Sequence, residues 1–333
     1  MCVIRLYPQT QMFTFSTTYS LTPSQRAQTS QSLLSPYNTS NPWQSSPEIS
    51  FLYLEETFEM EDIKLMCGIF GLAMANPVAL KTVFNVLAKL EVHQYPQEPN
   101  PVGGYGAGLA ILQDDGSVIF EKVGRVAGSS AKRLSEIVKV KEASVMVGHV
   151  RMPSPEFMET AKFRETAQPY VVQRDPKLTI ISVHNGKVEN YKQLRETVGA
   201  DHIFESERVG LIDSEVIPHL FELLINTTPD TDEALYELFY RIENSNKLGN
   251  AIGLLQIGEE DTYLHLIHKG KTRGLTVWTN EQGEVIFCSR KEPLMQEFSN
   301  ILAEGKFKEK ISIRWREDAG LKLSFPLDFR VKR

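Results

Sequence analysis

Cysteine is scarce in this 333-residue sequence: Cys2, Cys67 and Cys288 are the only three, with no Cys-x-x-Cys pair and no Cys/His cluster. Such usage excludes a disulfide framework and offers no zinc-ligand pattern, so reduced cytoplasm is the simplest compartment. Basic charge is short as well. Lys and Arg number 36 against 42 Asp and Glu, a net charge of −6, and neither nucleic acid nor an anionic membrane is drawn to a mildly acidic protein. No uninterrupted apolar run reaches the ~18 residues that a bilayer-spanning helix requires. A phosphate-cradling loop and a dinucleotide fingerprint are missing too, since the glycines of residues 103–108 lack a strand-turn-helix setting. No metal, flavin or nucleotide cofactor is expected.

What is present divides at Met66. Eighteen of residues 1–65 are Ser or Thr, Gln and Pro are scattered among them, and Arg5, Arg26 and Lys64 are the only basic residues. This composition reads as a disordered extension and lacks the charged start and compact apolar stretch of a targeting segment. From Met66 onward, short apolar runs alternate with segments of helical period, so residues 66–333 form the expected folded domain.

Strands are expected at 67–75, 145–151 and 178–184, and a hairpin pairs 106–113 with 117–123 around Asp114-Asp115-Gly116. Helices are expected at 78–91, 130–142, 188–198, 213–224 (with Asp213 or Ser214 as N-cap) and 231–245. Strands near 250–257, 261–268, 274–279 and 284–288, a helix near 292–303 and strands near 309–315 and 321–325 complete the pattern. Strands in runs, bracketed by helices, argue for an α+β sandwich over an alternating βαβ fold.

A cysteine in an apolar strand is ordinarily a small buried hydrophobe, and Cys288 in Val285-Ile286-Phe287-Cys288 takes that reading. Cys67 differs because it follows a methionine able to serve as initiator. Removal of that methionine leaves a thiol beside a free α-amine of pKa about 7.7–8.0, which can accept the thiol proton. One residue then supplies nucleophile and base. Attack on an amide creates an oxyanion that needs fixed donors, and Asn185-Gly186 offers a side-chain amide and an unhindered backbone N–H, although the pair alone also reads as a plain turn. Arg151, with Ser154 nearby in the loop that follows, suits a substrate carboxylate, and Asp213 suits an ammonium; singly, each reads first as a surface charge or a cap and only second as a ligand.

These residues fall in order within a known pattern. Met66-Cys67-Gly68-Ile69-Phe70-Gly71 resembles the opening of the class II glutamine amidotransferases, members of the N-terminal nucleophile hydrolases. Gly148-His149-Val150-Arg151-Met152-Pro153-Ser154, Ala167-Gln168-Pro169, His184-Asn185-Gly186 with Glu189-Asn190-Tyr191, Asp213-Ser214-Glu215, and Arg273-Gly274-Leu275 with Cys288-Ser289 follow where the family has its later motifs. The resemblance implies a four-layer αββα sandwich of two antiparallel sheets between helix layers. It implies Cys67 as nucleophile, Asn185 and Gly186 as oxyanion hole, Arg151 with Ser154 on the carboxylate of L-glutamine, and Asp213 on its amino group. The chain departs from the family at His93-Gln94-Tyr95-Pro96 and Gly103-Gly104-Tyr105-Gly106, where an Arg-Gly segment is usual, and at Met152, where an aromatic often stands.

Two expectations concern the rest of the reaction. With residues 1–65 attached, the Cys67 nitrogen is an amide and cannot act as base; a start at Met66 is favoured over a removed propeptide or a dead site. The roughly forty residues after Ser289 leave no room for an ammonia-accepting domain. The expectation is therefore a stand-alone glutaminase that hands ammonia to a separately encoded synthase subunit, resembling the split subunits related to archaeal glutamate synthase. The alternatives are hydrolysis of another γ-glutamyl amide and a catalytically silent ligand-binding regulatory subunit of the same fold.

Overall fold

The computed structural model describes residues 66–244, 249–271, 273–314 and 317–327; the expected extension over 1–65 lies outside the described residues. Two antiparallel sheets form the centre. The first runs β11-β9-β10-β1-β4-β2-β3 and the second β12-β8-β7-β6-β5. In the first sheet, β1 is Gly68–Ala79, β2 Gly106–Leu112, β3 Val118–Gly124, β4 Glu142–Val150, β9 Leu275–Thr279, β10 Val285–Cys288 and β11 Lys308–Ile313. In the second, β5 is Tyr170–Val172, β6 Thr179–Asn185, β7 Asn250–Ile257, β8 Thr262–Gly270 and β12 Ala319–Pro326. The helices are α1 Leu80–Val92, α2 Ser130–Ile137, α3 Tyr191–Val198, α4 Val216–Thr227, α5 Thr231–Arg241 and α6 Lys291–Glu304.

The period-2 alternation of each strand builds three apolar layers. On β1, Phe70 and Leu72 face α1, α2 and α6 through Leu87, Leu134 and Phe298. Their neighbours Ile69 and Ala73 face the second sheet, where they join Ile181 and Val183 of β6. On the far side of β6, Ile180 packs under α3, α4 and α5 with Leu194, Leu220 and Leu238. The αββα sandwich is thus read directly from which residues share each core. Phe287 wedges between the sheets: a Cβ on Gly71 would lie 2.4 Å from its ring and one on Gly253 2.8 Å, so the close approach requires glycine at both.

Several element ends differ from the sequence reading, mostly for one reason. The bulged end of β1 pairs Val78 with Ala143 and Ala79 with Glu142, which carries β1 past residue 75 and delays α1 to Leu80. The same pairing draws the chain straight after Ile137, so α2 ends there and not near 142. Helix α3 starts at Tyr191, not Val188, because the Val188 N–H is donated to Asp213 and the Glu189 N–H to the Glu243 carbonyl. Neither Asp213 nor Ser214 caps α4: residues Asp213–Glu215 form a 3-10 turn that leads into Val216, with no side-chain cap. Strand β5, absent from the sequence reading, is three residues long and exists by pairing with β6.

Candidate active site

Strand register brings distant residues to one end of the sandwich. Gly68 pairs with Val150 and Ile69 with His149, so Cys67 and Arg151 lie one step beyond, on the side of Ile69 that faces the second sheet. Asn185 ends β6 on the face that carries Ile181 and Val183. Arg273 stands two residues before Leu275, whose side chain also lies between the sheets. Alternation alone therefore turns these four side chains toward the inter-sheet space at one rim.

The Cys67 thiol is half-buried and bonded to one residue on both sides. Its S–H donates to the Met152 carbonyl at 3.3 Å, and the Met152 N–H reaches Sγ at 3.4 Å. Burial pushes the thiol pKa up; the Met152 N–H and the nearby Arg151 and Arg273 guanidiniums pull it back, and Asp213 adds to the rise. Two arginines and an aspartate thus act on the same sulfur. Cys288, by contrast, is fully buried in the helix-side core and its thiol is pushed up to about 12, which makes it inert.

Arg151 is buried, and its guanidinium donates to the Thr166 hydroxyl, which itself reaches the carbonyls of Thr160 and Phe163 at 2.9 Å. Ser154 stands at the start of the turn Pro155–Phe157, where its carbonyl accepts the Phe157 N–H at 2.8 Å and its side chain makes no cap. The hydroxyl that holds Arg151 thus comes from Thr166. Asp213 is buried, accepts the Val188 N–H at 2.9 Å, and has its pKa raised to about 6, chiefly by burial. Asn185 is buried with Oδ1 lacking a hydrogen-bond partner. An orphaned acceptor of this kind costs roughly 1–3 kcal/mol, which a donor arriving at the site would recover.

Gly186 cannot be replaced without displacing its surroundings. A Cβ there would sit 2.2 Å from Asn250 Oδ1 and 2.6 Å from both Gly249 O and His184 Nε2. Three supporting residues escaped the sequence reading. Thr166 carries no sequence signal, and Gln168 and Arg273 lie in family motifs that imply no role for them. Gln168 brackets the His184 backbone, accepting its N–H at 2.6 Å and donating to its carbonyl at 3.0 Å. Met66 is 6% exposed, with Sδ 3.6 Å from Arg290 Nη2; that guanidinium also pairs with the buried Glu98.

No protein-family model matches the chain. Its sequence is 30% identical over 281 residues to glutamine–fructose-6-phosphate aminotransferase (isomerizing) of Methanosarcina mazei, covering 78% of this chain and 42% of that one. The Methanosarcina acetivorans enzyme of the same name is 29% identical over 282 residues with the same coverage, and that of Staphylococcus aureus 29% over 202 residues, 59% of this chain and 28% of that one. The chain thus spans less than half the length of the curated relatives it matches. Among solved structures, glutamine phosphoribosylpyrophosphate amidotransferase from B. subtilis superposes with a TM-score of 0.50 at 17% identity, covering 75% of this chain and 46% of that one. A structure described as the allosteric regulatory enzyme of purine biosynthesis gives a TM-score of 0.50 at 16% identity. Likeness of sequence to the aminotransferases and the shared double-sheet architecture agree, and the chain belongs to the class II glutamine amidotransferases.

Proposed function

We propose that Cys67, once it is the first residue of the chain, hydrolyses the side-chain amide of L-glutamine to glutamate and ammonia. The observation that carries this reading is that the charges of Arg151 and Asp213 act on Cys67 at one rim, while Asn185 ends β6 on the face that Ile181 and Val183 turn toward the first sheet. In the reaction the free α-amine takes the thiol proton and Sγ attacks the amide carbon. The oxyanion receives hydrogen bonds from the Asn185 side chain and the Gly186 N–H. Collapse breaks the C–N bond, the protonated amine returns its proton to the departing nitrogen, and ammonia leaves a thioester. Water, deprotonated by the same amine, cleaves the thioester and restores the thiol. Arg151 and Ser154 hold the substrate carboxylate and Asp213 its ammonium, fixing the amide within reach of Sγ.

The domain division belongs to this proposal: residues 66–333 form the amidotransferase domain, and residues 1–65 are either upstream of the true start or removed. Ammonia then passes to a separate synthase subunit. The aminotransferases matched act, by name, on fructose 6-phosphate, which makes a sugar phosphate a second acceptor class to test beside glutamate synthase chemistry. Glutamine hydrolysis by a chain beginning at Cys67 should be slow alone and rise when the acceptor enzyme is added; a fast, partner-independent rate counts against ammonia transfer. A glutamine-analogue electrophile, 6-diazo-5-oxonorleucine, should label this chain and leave Cys67→Ala unlabelled.

One observation favours a second reading. Met66 is accommodated in a buried position beside Arg290, as a regulatory subunit that retains Met66 and binds glutamine without cleaving it would require. Intact mass of the natively expressed protein separates the two: a first residue upstream of Cys67 in fully folded material supports the silent subunit.

A further inference from the structure

We infer that His184 is a positioning residue of the oxyanion hole, an imidazole clamped between Ser214 and Asn250 against which the Gly186 backbone is seated. The inference rests on the glutaminase reading above. Its geometry is a directed chain. His184 Nε2 lies 2.8 Å from Asn250 Oδ1, and Nδ1 lies 2.8 Å from Ser214 Oγ. An amide oxygen only accepts, so Nε2 carries the ring proton; the neutral ring then accepts the Ser214 O–H at Nδ1. Burial holds the His184 pKa at about 4, with the Asn250 bond opposing and the Arg273 charge assisting, so the ring stays uncharged at neutral pH.

Both ring nitrogens are engaged, and the Cys67 thiol bonds Met152. His184 is therefore not the base of a Cys-His pair. What it does touch is Gly186: the site of a Cβ on that glycine lies 2.6 Å from His184 Nε2 and 2.2 Å from Asn250 Oδ1. The imidazole–amide hydrogen bond is the wall behind the glycine's α-carbon. Any shift of the ring or of Asn250 moves that α-carbon and re-aims the Gly186 N–H bonded to it. The His184 backbone is fixed independently by Gln168, so the ring is free to act only through its own partners.

The same chain reaches the ammonium clamp. Ser214 follows Asp213, whose carboxylate takes the N–H of Val188, two residues beyond Gly186. Ser214 thus ties the turn that holds the oxyanion to the turn that holds the amino group, and each fixes the other's register. Stability alone does not call for such a link, because replacing a buried hydrogen-bonded pair with apolar groups of similar shape is often close to neutral.

The test uses the chain beginning at Cys67 and the variants Ser214→Ala and Asn250→Ala, with Ser214→Thr as the conservative rescue. Each is measured for kcat and KM on glutamine and for the rate of Cys67 alkylation by iodoacetamide, a displacement that forms no oxyanion. A loss of about tenfold or more in kcat is expected for both alanine variants, by comparison with removal of an oxyanion donor. KM and the alkylation rate should stay within about threefold, and Ser214→Thr should recover most of the kcat. Retention of kcat within about twofold in both alanine variants overturns the inference. So does a fall in alkylation that parallels the fall in kcat, since that marks a displaced nucleophile. An unaltered chain that is alkylated yet does not hydrolyse glutamine removes the glutaminase reading, and this inference with it.

Discussion

The two sides of the rim are built on opposite electrostatic plans. On the first sheet, Cys67 sits among formal charges, with Arg151 and Arg273 pulling its thiol down while burial and Asp213 push it up. On the second, Asn185 and Gly186 are backed by a neutral chain of Ser214, His184 and Asn250, with the imidazole kept uncharged by burial. Under the proposed reaction, the contrast follows from what each side must do. A nucleophile needs its protonation balance tuned, which charges do at a distance. An oxyanion hole needs donors that are already oriented when the charge appears, which fixed dipoles do best.

The contrast can be broken from either side. The largest effect should come from Cys67→Ala, which removes the only thiol at the rim among the described residues and should abolish glutamine hydrolysis in a coupled glutamate assay. Next is Gly186→Ala: its methyl collides with Asn250 and His184, and kcat should fall by roughly 10²–10³, the cost of losing an oxyanion donor, with KM changed far less.

Asp213→Asn sharpens the comparison because function and stability should move oppositely. The loss of the ammonium partner should raise KM for glutamine by roughly tenfold or more. The wild-type carboxyl has its folded pKa raised from about 3.8 to about 6. Its stability penalty is therefore absent below about pH 4, grows as pH rises through 6, and is complete above. At pH 8 the Asn variant should be more stable by roughly 2–3 kcal/mol, the equivalent of two pKa units, and at pH 4 the gain should vanish; thermal melts at both values check this. For the wild type, KM should climb about tenfold per pH unit below 6 as the carboxylate is protonated. A flat KM down to pH 5 would remove Asp213 from the ammonium site. The smallest effects concern the arginine clamp. Thr166→Val frees Arg151 from its buried hydroxyl, and Ser154→Ala removes the proposed hydroxyl contact to the carboxylate; each should raise KM by about threefold to tenfold at unchanged kcat.

The candidate residues of this site were legible in the sequence because residue type is local. A cysteine behind an initiator-like methionine, an Asn-Gly at a strand end and an Arg closing a strand were candidates by residue type, and their ordered resemblance to a family gave each an expected role. The α+β sandwich followed from strands in runs bracketed by helices, its two-sheet form from the family resemblance, and most strands lie within a few residues of their expected limits. The errors share a cause. Helix α2 stops early because β1 and β4 pair across Ala79 and Glu142, and Val188 stays out of α3 because Asp213 takes its N–H. In both cases a partner tens of residues away outcompetes local propensity. Thr166 gave no sequence signal, since a threonine in a turn is among the commonest of residues. Gln168 lies in a family motif that implies no role for it, and Arg273 had no role until the strands put it beside Cys67.

By itself, then, the sequence determined the kind of chemistry and the class of fold, because side-chain functional groups and the period of apolar residues are properties of the chain that no partner alters. Only the tertiary structure decided which hydroxyl holds Arg151, which arginine joins Cys67, and that a neutral imidazole stands behind Gly186. Those pairings link residues that the register of two sheets brings together across 15 to over 200 positions, as Arg151 with Thr166 and Cys67 with Arg273 show. Register is set by the summed packing of the whole core, which no short stretch of sequence contains.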